Sequence, residues 1–128
     1  MKSKKKIGIC MDHTSANLME FESGNIESLI IASQFTHQVK EESLRKGESH
    51  MQAKEKQFQK EYYTKISDKI KNCDEVLLFG PTNAKDELYN LLMADTHFEK
   101  IKIHVKPTDK LTEIQQHDLV KYQFRNLG

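Results

Sequence analysis

Residues 76–88 read VLLFGPTNAKDEL. The apolar run from Val76 to Phe79, with Glu75 before it, has the length and composition of a buried strand. It stops at Gly80 and Pro81, and the chain restarts over Thr82 and Asn83, either of which can cap a helix. NAKDELYNLLMAD then has helical periodicity, with Ala84, Leu88, Leu91 and Leu92 expected to face inward. The strand that follows, KIKIHV, sets Ile101, Ile103 and Val105 on one face, and Pro107 ends it. The closing segment TEIQQHDLVKYQF is a helix with Thr112 and Gln115 at capping-box spacing.

Upstream, Ile7 to Met11 form a short strand, DHTS a polar turn, and ANLMEF a second strand. Gly24 and Asn25 in ESGN tolerate positive φ, which suits a hairpin into a third strand from Ile26 to about Phe35. Residues 36–49, THQVKEESLRKGES, carry mixed charges and few apolar anchors and are expected to be an exposed loop. Met51, Phe58, Tyr62, Ile66, Ile70 and Cys73 then recur at helical spacing over about twenty residues. The order β-β-β-α-β-α-β-α predicts an α/β fold with three helices on a mixed five-stranded sheet, in two or three layers. Right-handed crossovers give the strand order 3-2-1-4-5, as in ribonuclease H-like folds.

At 128 residues the chain suffices for one domain, residues 1–128, that buries roughly two-thirds of its unfolded surface. Lysine and arginine number 20 against 19 acidic residues, so net charge demands neither nucleic acid nor membrane, and any basic surface must be local. No apolar segment approaches the ~20 residues that cross a bilayer. Residues 1–6, MKSKKK, are expected to be a disordered basic tail and not a signal peptide. Cys10 and Cys73 lack the paired spacing of zinc sites or disulfide frameworks, which suits reduced structural thiols in a cytoplasmic protein.

Taken in order, IGICMDHTSANLMEFESGNIE, the helix bearing EYYTKISDKI and the corner VLLFGPTNAKDEL resemble the central domain of the archaeal and eukaryotic class I peptide release factors and of Pelota. The likeness spans about residues 7–105. In that family a first strand ends in an aspartate and a basic loop leads to a long helix with a tyrosine. A later strand ends in glycine, and the helix after it carries a lysine, here Gly80 and Lys85. Release factors place a Gly-Gly-Gln tripeptide in the loop before the long helix. Here that loop is EESLRKGESHMQ, where Gly47 is followed by Glu48 and Ser49, and the nearby glutamine is Gln52. The resemblance therefore does not imply peptide release. Pelota also lacks the tripeptide and acts as a binding protein on stalled ribosomes, so the resemblance implies a non-catalytic role on tRNA or the ribosome. Without the family's flanking domains, the chain is expected to act alone, as an oligomer or with another protein.

Three sets of residues carry the candidate chemistry. Arg45, Lys46, His50 and Lys54, with Lys56 and Lys60, can neutralise phosphates. Glu41, Glu42, Glu48 and Glu55 are interleaved with them, so a solvated helix face is the competing reading. Lys85 joins the RNA-binding set through the resemblance. Gly80, Thr82 and Asn83 either form a capped corner or present free N–H groups to an anion. The predicted strand order brings Asp12 and His13 beside them at the carboxyl end of the sheet, where ligands of such sheets bind. Asp12 and His13 serve equally as turn formers. This crevice leaves open an enzyme or binding protein for a phosphorylated small molecule. A third reading is a homo-oligomeric scaffold joined through an edge strand. No catalytic residue, metal ligand or cofactor motif emerges: the histidines lack metal-site spacing, and strand four has no acid at its tip to complete a magnesium nuclease.

Overall fold

The computed structural model describes residues 4–125, and its elements follow from simple patterning. Strands β1 (Lys6–Met11), β2 (Ser15–Glu22) and β3 (Asn25–Ala32) form an antiparallel meander. Helices α1 (His37–Leu44) and α2 (Glu48–Ile70) follow, then β4 (Glu75–Gly80), α3 (Ala84–Met93), a short 3-10 turn at Thr96–Phe98, β5 (Lys102–Pro107) and α4 (Glu113–Arg125). The sheet runs β3-β2-β1-β4-β5, with β4 parallel to both β1 and β5. The expected α/β class and strand order are observed, with four α-helices in place of three.

Every residue of β4 is buried, and its alternation decides the layering. Val76 and Leu78 join Ile7, Ile9 and Met11 beneath Tyr62, Ile66 and Ile70 of α2 and Ala84, Leu88 and Leu92 of α3. Leu77 and Phe79 face the other way, with Met19, onto Val120 and Phe124 of α4. The result is three layers, helices on both faces of one sheet. Each of these fully buried large side chains contributes roughly 1.5–3 kcal/mol relative to exposure. Gly8 lets α4 come close, since a Cβ there would overlap the Val120 side chain. Glu75, buried at the start of β4, is satisfied by His104 of β5, Nε2 to Oε2 2.8 Å.

Four expectations are corrected. Residues 37–44, read as loop, form α1, because Thr36 caps the helix by accepting from the Val39 N–H and Ser43 is buried on its inner face. Leu91 is 52% exposed: Ala84, Leu88 and Leu92, spaced by four, make the inward stripe and leave Leu91 on its flank. The tail ends earlier than residue 6, for Lys6 opens β1 and the Lys5 N–H donates to Asp74 Oδ2 at 2.6 Å; residues 1–3 lie outside the described residues. The third strand stops at Ala32, short of Phe35.

The hairpin turn puts positive φ at Ser23 (51°) and Gly24 (84°), not at Asn25. Two positive φ values make a type I′ turn, which favours Asn-Gly. A serine held in the left-handed region costs stability that asparagine largely avoids. Ser23→Asn is therefore expected to raise stability by about 0.5–1 kcal/mol, read as a higher urea midpoint at unchanged slope.

Candidate functional site

Helix α2 is longer than the sheet is deep. Its 23 residues span about 34 Å. The Tyr62 hydroxyl donates to the Asp12 carbonyl at 2.9 Å, which fixes that residue at the carboxyl end of β1, and the buried residues of α2 begin there. Residues 48–61 therefore run on beyond the sheet by about 20 Å. Helix α1 packs alongside this extension, with the Phe35 and Phe58 rings 6.0 Å apart at its base. The two helices form a projecting hairpin. Its apex is Arg45–Lys46–Gly47, closed by the Lys46 and Gly47 N–H groups donating to Ser43 and Leu44 carbonyls. Gly47 sits at φ 118° where α2 begins.

An open groove of about 470 Å³ lies between the helices. Val39 and Phe58 give it apolar surface; Arg45, Lys46, His50 and Lys54 give it donors, and Glu42 is the one acid among its lining residues. The structure thus gathers four candidate RNA-binding residues. His50, Lys54 and Phe58 recur every four residues on one face of α2, and the α1 turn delivers Arg45 and Lys46 to them. Val39 and Ser43 are not evident from sequence, and Glu42 and Phe58 are evident there only as an interleaved acid and an apolar helix position; the signal for α1 is Thr36, a capping residue followed by helix formers up to Gly47. Lys56 and Lys60 are exposed on α2 outside the groove lining.

Lys85 does not join them. It is 5% exposed, and its ammonium donates to the Thr82 carbonyl at 2.6 Å and lies 3.4 Å from Asp86 Oδ2. The lysine braces the corner from which it springs.

At the carboxyl end of the sheet Asp12 makes an Asx turn. Its Oδ1 accepts from the Thr14 N–H and hydroxyl, both at 2.7 Å, and from the Ser15 N–H at 2.9 Å. Partial burial pushes this carboxyl up, but the bonds from Ser15 and Thr14 and the charge of His13 outweigh it and hold it below its ordinary 3.8. A carboxyl lowered on folding stabilises the fold above the unfolded value and loses that contribution as pH falls through the folded one. Urea stability should accordingly decline as pH drops below about 3.8, and Asp12→Asn should flatten that decline.

His13 turns away to Glu87, Nε2 to Oε1 3.2 Å, and the same oxygen accepts from the Tyr63 hydroxyl at 2.6 Å. Burial, then Glu87, push the Tyr63 hydroxyl well above its ordinary range. Gly80 is buried at φ 148°, and a Cβ on it would strike the Met11 carbonyl oxygen; its own carbonyl accepts from Thr108 N–H at 3.1 Å. Thr82 Oγ1 accepts from the Ala84 N–H at 3.2 Å, while Asn83 makes no side-chain cap. Asp86 and Glu87 fill the first turn of α3 with negative charge. A second hollow of about 470 Å³ on the α4 side has Asp12 in its wall, and not His13, Gly80, Thr82 or Asn83. Cys10 in that wall is pushed up to about 11 by burial and by Asp12, so it stays a neutral thiol. Asp12, His13, Gly80 and Thr82 of the corner set each make contacts within the fold. Among the described residues no three His, Cys, Asp or Glu side chains gather as metal ligands, and no helix is long and apolar enough to cross a membrane.

No family model matches the chain, and no curated protein matches it. Solved structures do. The Pelota of Archaeoglobus fulgidus superimposes with a TM-score of 0.61 and 8% identity, over 96% of this chain and 32% of that one. The Pelota of Thermoplasma acidophilum gives 0.56 and 14% identity, over 96% and 32%. An archaeal translation termination factor gives 0.44 and 14%, over 95% and 37%. The chain spans about a third of the length of the Pelota proteins. At such identity the likeness is one of fold, and it covers 96% of this chain.

Proposed function

We propose that this chain is a non-catalytic, translation-associated protein that binds RNA, in tRNA or on the ribosome, through the groove at the apex of the α1–α2 hairpin. One observation carries the reading: Arg45 and Lys46 of the apex turn and His50 and Lys54 of α2 line a single groove on an extension that stands clear of the sheet. Nothing in the core needs that extension, since the buried residues of α2 begin at Tyr62. A projecting basic tip suits contact with a phosphate backbone, where each neutralised phosphate adds to a salt-dependent affinity. The fold shared with Pelota adds the translation context. Glu42 in the groove limits the charge and favours a defined fit over diffuse attraction.

A phosphorylated small molecule at the Asp12 and Gly80 crevice is the weaker reading, because Gly80 is buried and acids occupy the adjacent helix start. Filter binding of the protein to tRNA and to ribosomes at low and moderate salt tests the proposal. Retention that weakens as salt rises is expected; retention of neither would overturn it.

A further inference from the structure

The two edges of the sheet are built differently. β5 carries Lys102 and Lys106 and ends in Pro107, the ordinary devices that keep an edge strand from pairing. β3, the opposite edge, is NIESLIIA: eight residues with one charge, no lysine, no proline and an unbroken register against β2. Leu29 is 45% and Ile30 63% exposed. A strand of this length and composition, left bare, is a template for another strand. We infer that β3 is a dimerisation edge, pairing antiparallel with β3 of a second copy about a two-fold axis at Ser28.

Backbone parity sets the register. The type I′ turn at Ser23 and Gly24 makes Glu22 and Asn25 a pair that exchanges both hydrogen bonds. Alternation then points the N–H and C=O of Asn25, Glu27, Leu29 and Ile31 at β2. The Ser33 N–H, which donates to the Thr14 carbonyl at 2.8 Å, keeps the same parity past the strand end. Ile26, Ser28 and Ile30 hence direct their backbone groups outward. A two-fold partner must match these even positions with each other. With Ser28 on the axis, Ile26 of one copy faces Ile30 of the other, which covers the most exposed apolar side chain of the strand.

The other face fits as well. Beside β3, below α2, a hollow of about 310 Å³ has Leu18 and Leu29 in its walls, with Glu27 and Lys69 also lining it. The same register sets the second copy's Leu29 opposite Glu27, where this hollow opens. A net charge of +1 per chain opposes association little. An unrelated strand would satisfy the backbone but would have no reason to place isoleucine against Ile26 and Ile30 alike. A second copy does both by symmetry, and a two-fold contact closes without growing into a fibre. The inference stands apart from RNA binding and is tested without RNA.

Sedimentation equilibrium and light scattering on the full chain should give twice the 14.9 kDa chain mass at micromolar concentration. Ser28→Pro removes an outward N–H and leaves the β2 ladder intact, so the dimer should weaken by about tenfold or more at unchanged circular dichroism. Ile30→Lys should do the same by placing a charge in the contact. Ser28→Cys should cross-link to its own copy on mild oxidation, while Glu27→Cys should not, because across the axis it faces position 29. A wild-type monomer throughout, or a dimer untouched by Ile30→Lys, overturns the inference, even where Ser28→Pro fails to fold.

Discussion

Gly80→Ala is expected to destabilise the protein by about 3 kcal/mol or more, the largest loss from any single added methyl group in the chain. Two costs combine. Gly80 sits at φ 148°, a conformation that residues with a Cβ rarely adopt, and forcing alanine into it costs about 1–3 kcal/mol. The added methyl would also meet the backbone carbonyl of Met11, which cannot swing aside as a side chain would, and overpacking of this kind costs about another 1–3 kcal/mol. Domain stabilities run to roughly 5–15 kcal/mol, so the loss is a large share of the whole. Urea unfolding measures it, with the midpoint falling at unchanged slope. The comparison with Thr82→Ala is informative, since removing an acceptor for the Ala84 N–H should cost only about 1 kcal/mol. If Gly80→Ala loses less than that, the strand end yields, and the corner is not the rigid junction its geometry describes.

That junction was largely legible in the sequence, for a physical reason. A strand buried at every position must be apolar throughout, and the glycine and proline that end it have few other uses. The Asx turn at Asp12 and the capping box of Thr112 and Gln115 were legible because each is made within four residues; in the box, Thr112 Oγ1 accepts at 3.2 Å and Gln115 Oε1 at 2.9 Å. Tyr62, Ile66 and Ile70 marked α2 because a helix against a sheet must repeat its apolar face.

What escaped depends on distant parts of the chain. Helix α1 shows almost no apolar period because it packs chiefly on α2, with Ser43 its one buried residue, outside the main core. Leu91 carries the same side chain as Leu88 and Leu92, and it stays in solvent because α3 buries the side that holds Ala84, Lys85, Leu88 and Leu92. Glu87 collects His13 and Tyr63 on one oxygen across sequence separations of 74 and 24 residues, which no local pattern encodes. Lys85 had the sequence position of a ligand-binding lysine. Its burial against the Thr82 carbonyl is a property of the folded turn. The groove is the same kind of case: Arg45 and Lys46 reach His50 and Lys54 only because residues read as a loop form a helix that folds back on α2.

Removing the groove's charge should change both the affinity for RNA and its dependence on salt. For the triple variant Arg45→Ala, Lys46→Ala, Lys54→Ala, three lost phosphate contacts at ~0.7–0.9 each flatten the slope of log affinity against log salt by about 2–3. Between 50 and 200 mM salt the wild-type protein should then lose about 20- to 40-fold more affinity than the variant. The control is a second triple variant, Lys56→Ala, Lys60→Ala, Lys65→Ala, which removes the same charge from exposed positions of α2 outside the groove. If binding follows net charge alone, both variants flatten the slope equally, and the groove has no special part. If it follows the groove, the control keeps most of the wild-type slope. Glu42→Gln then strengthens binding, because it removes the acid that shares the lining with the three cations. The distinction rests on geometry, since all four lysines lie on one helix: those at 56 and 60 face another side from Lys54, and Lys65 lies three turns further along, past Tyr62 and away from the groove.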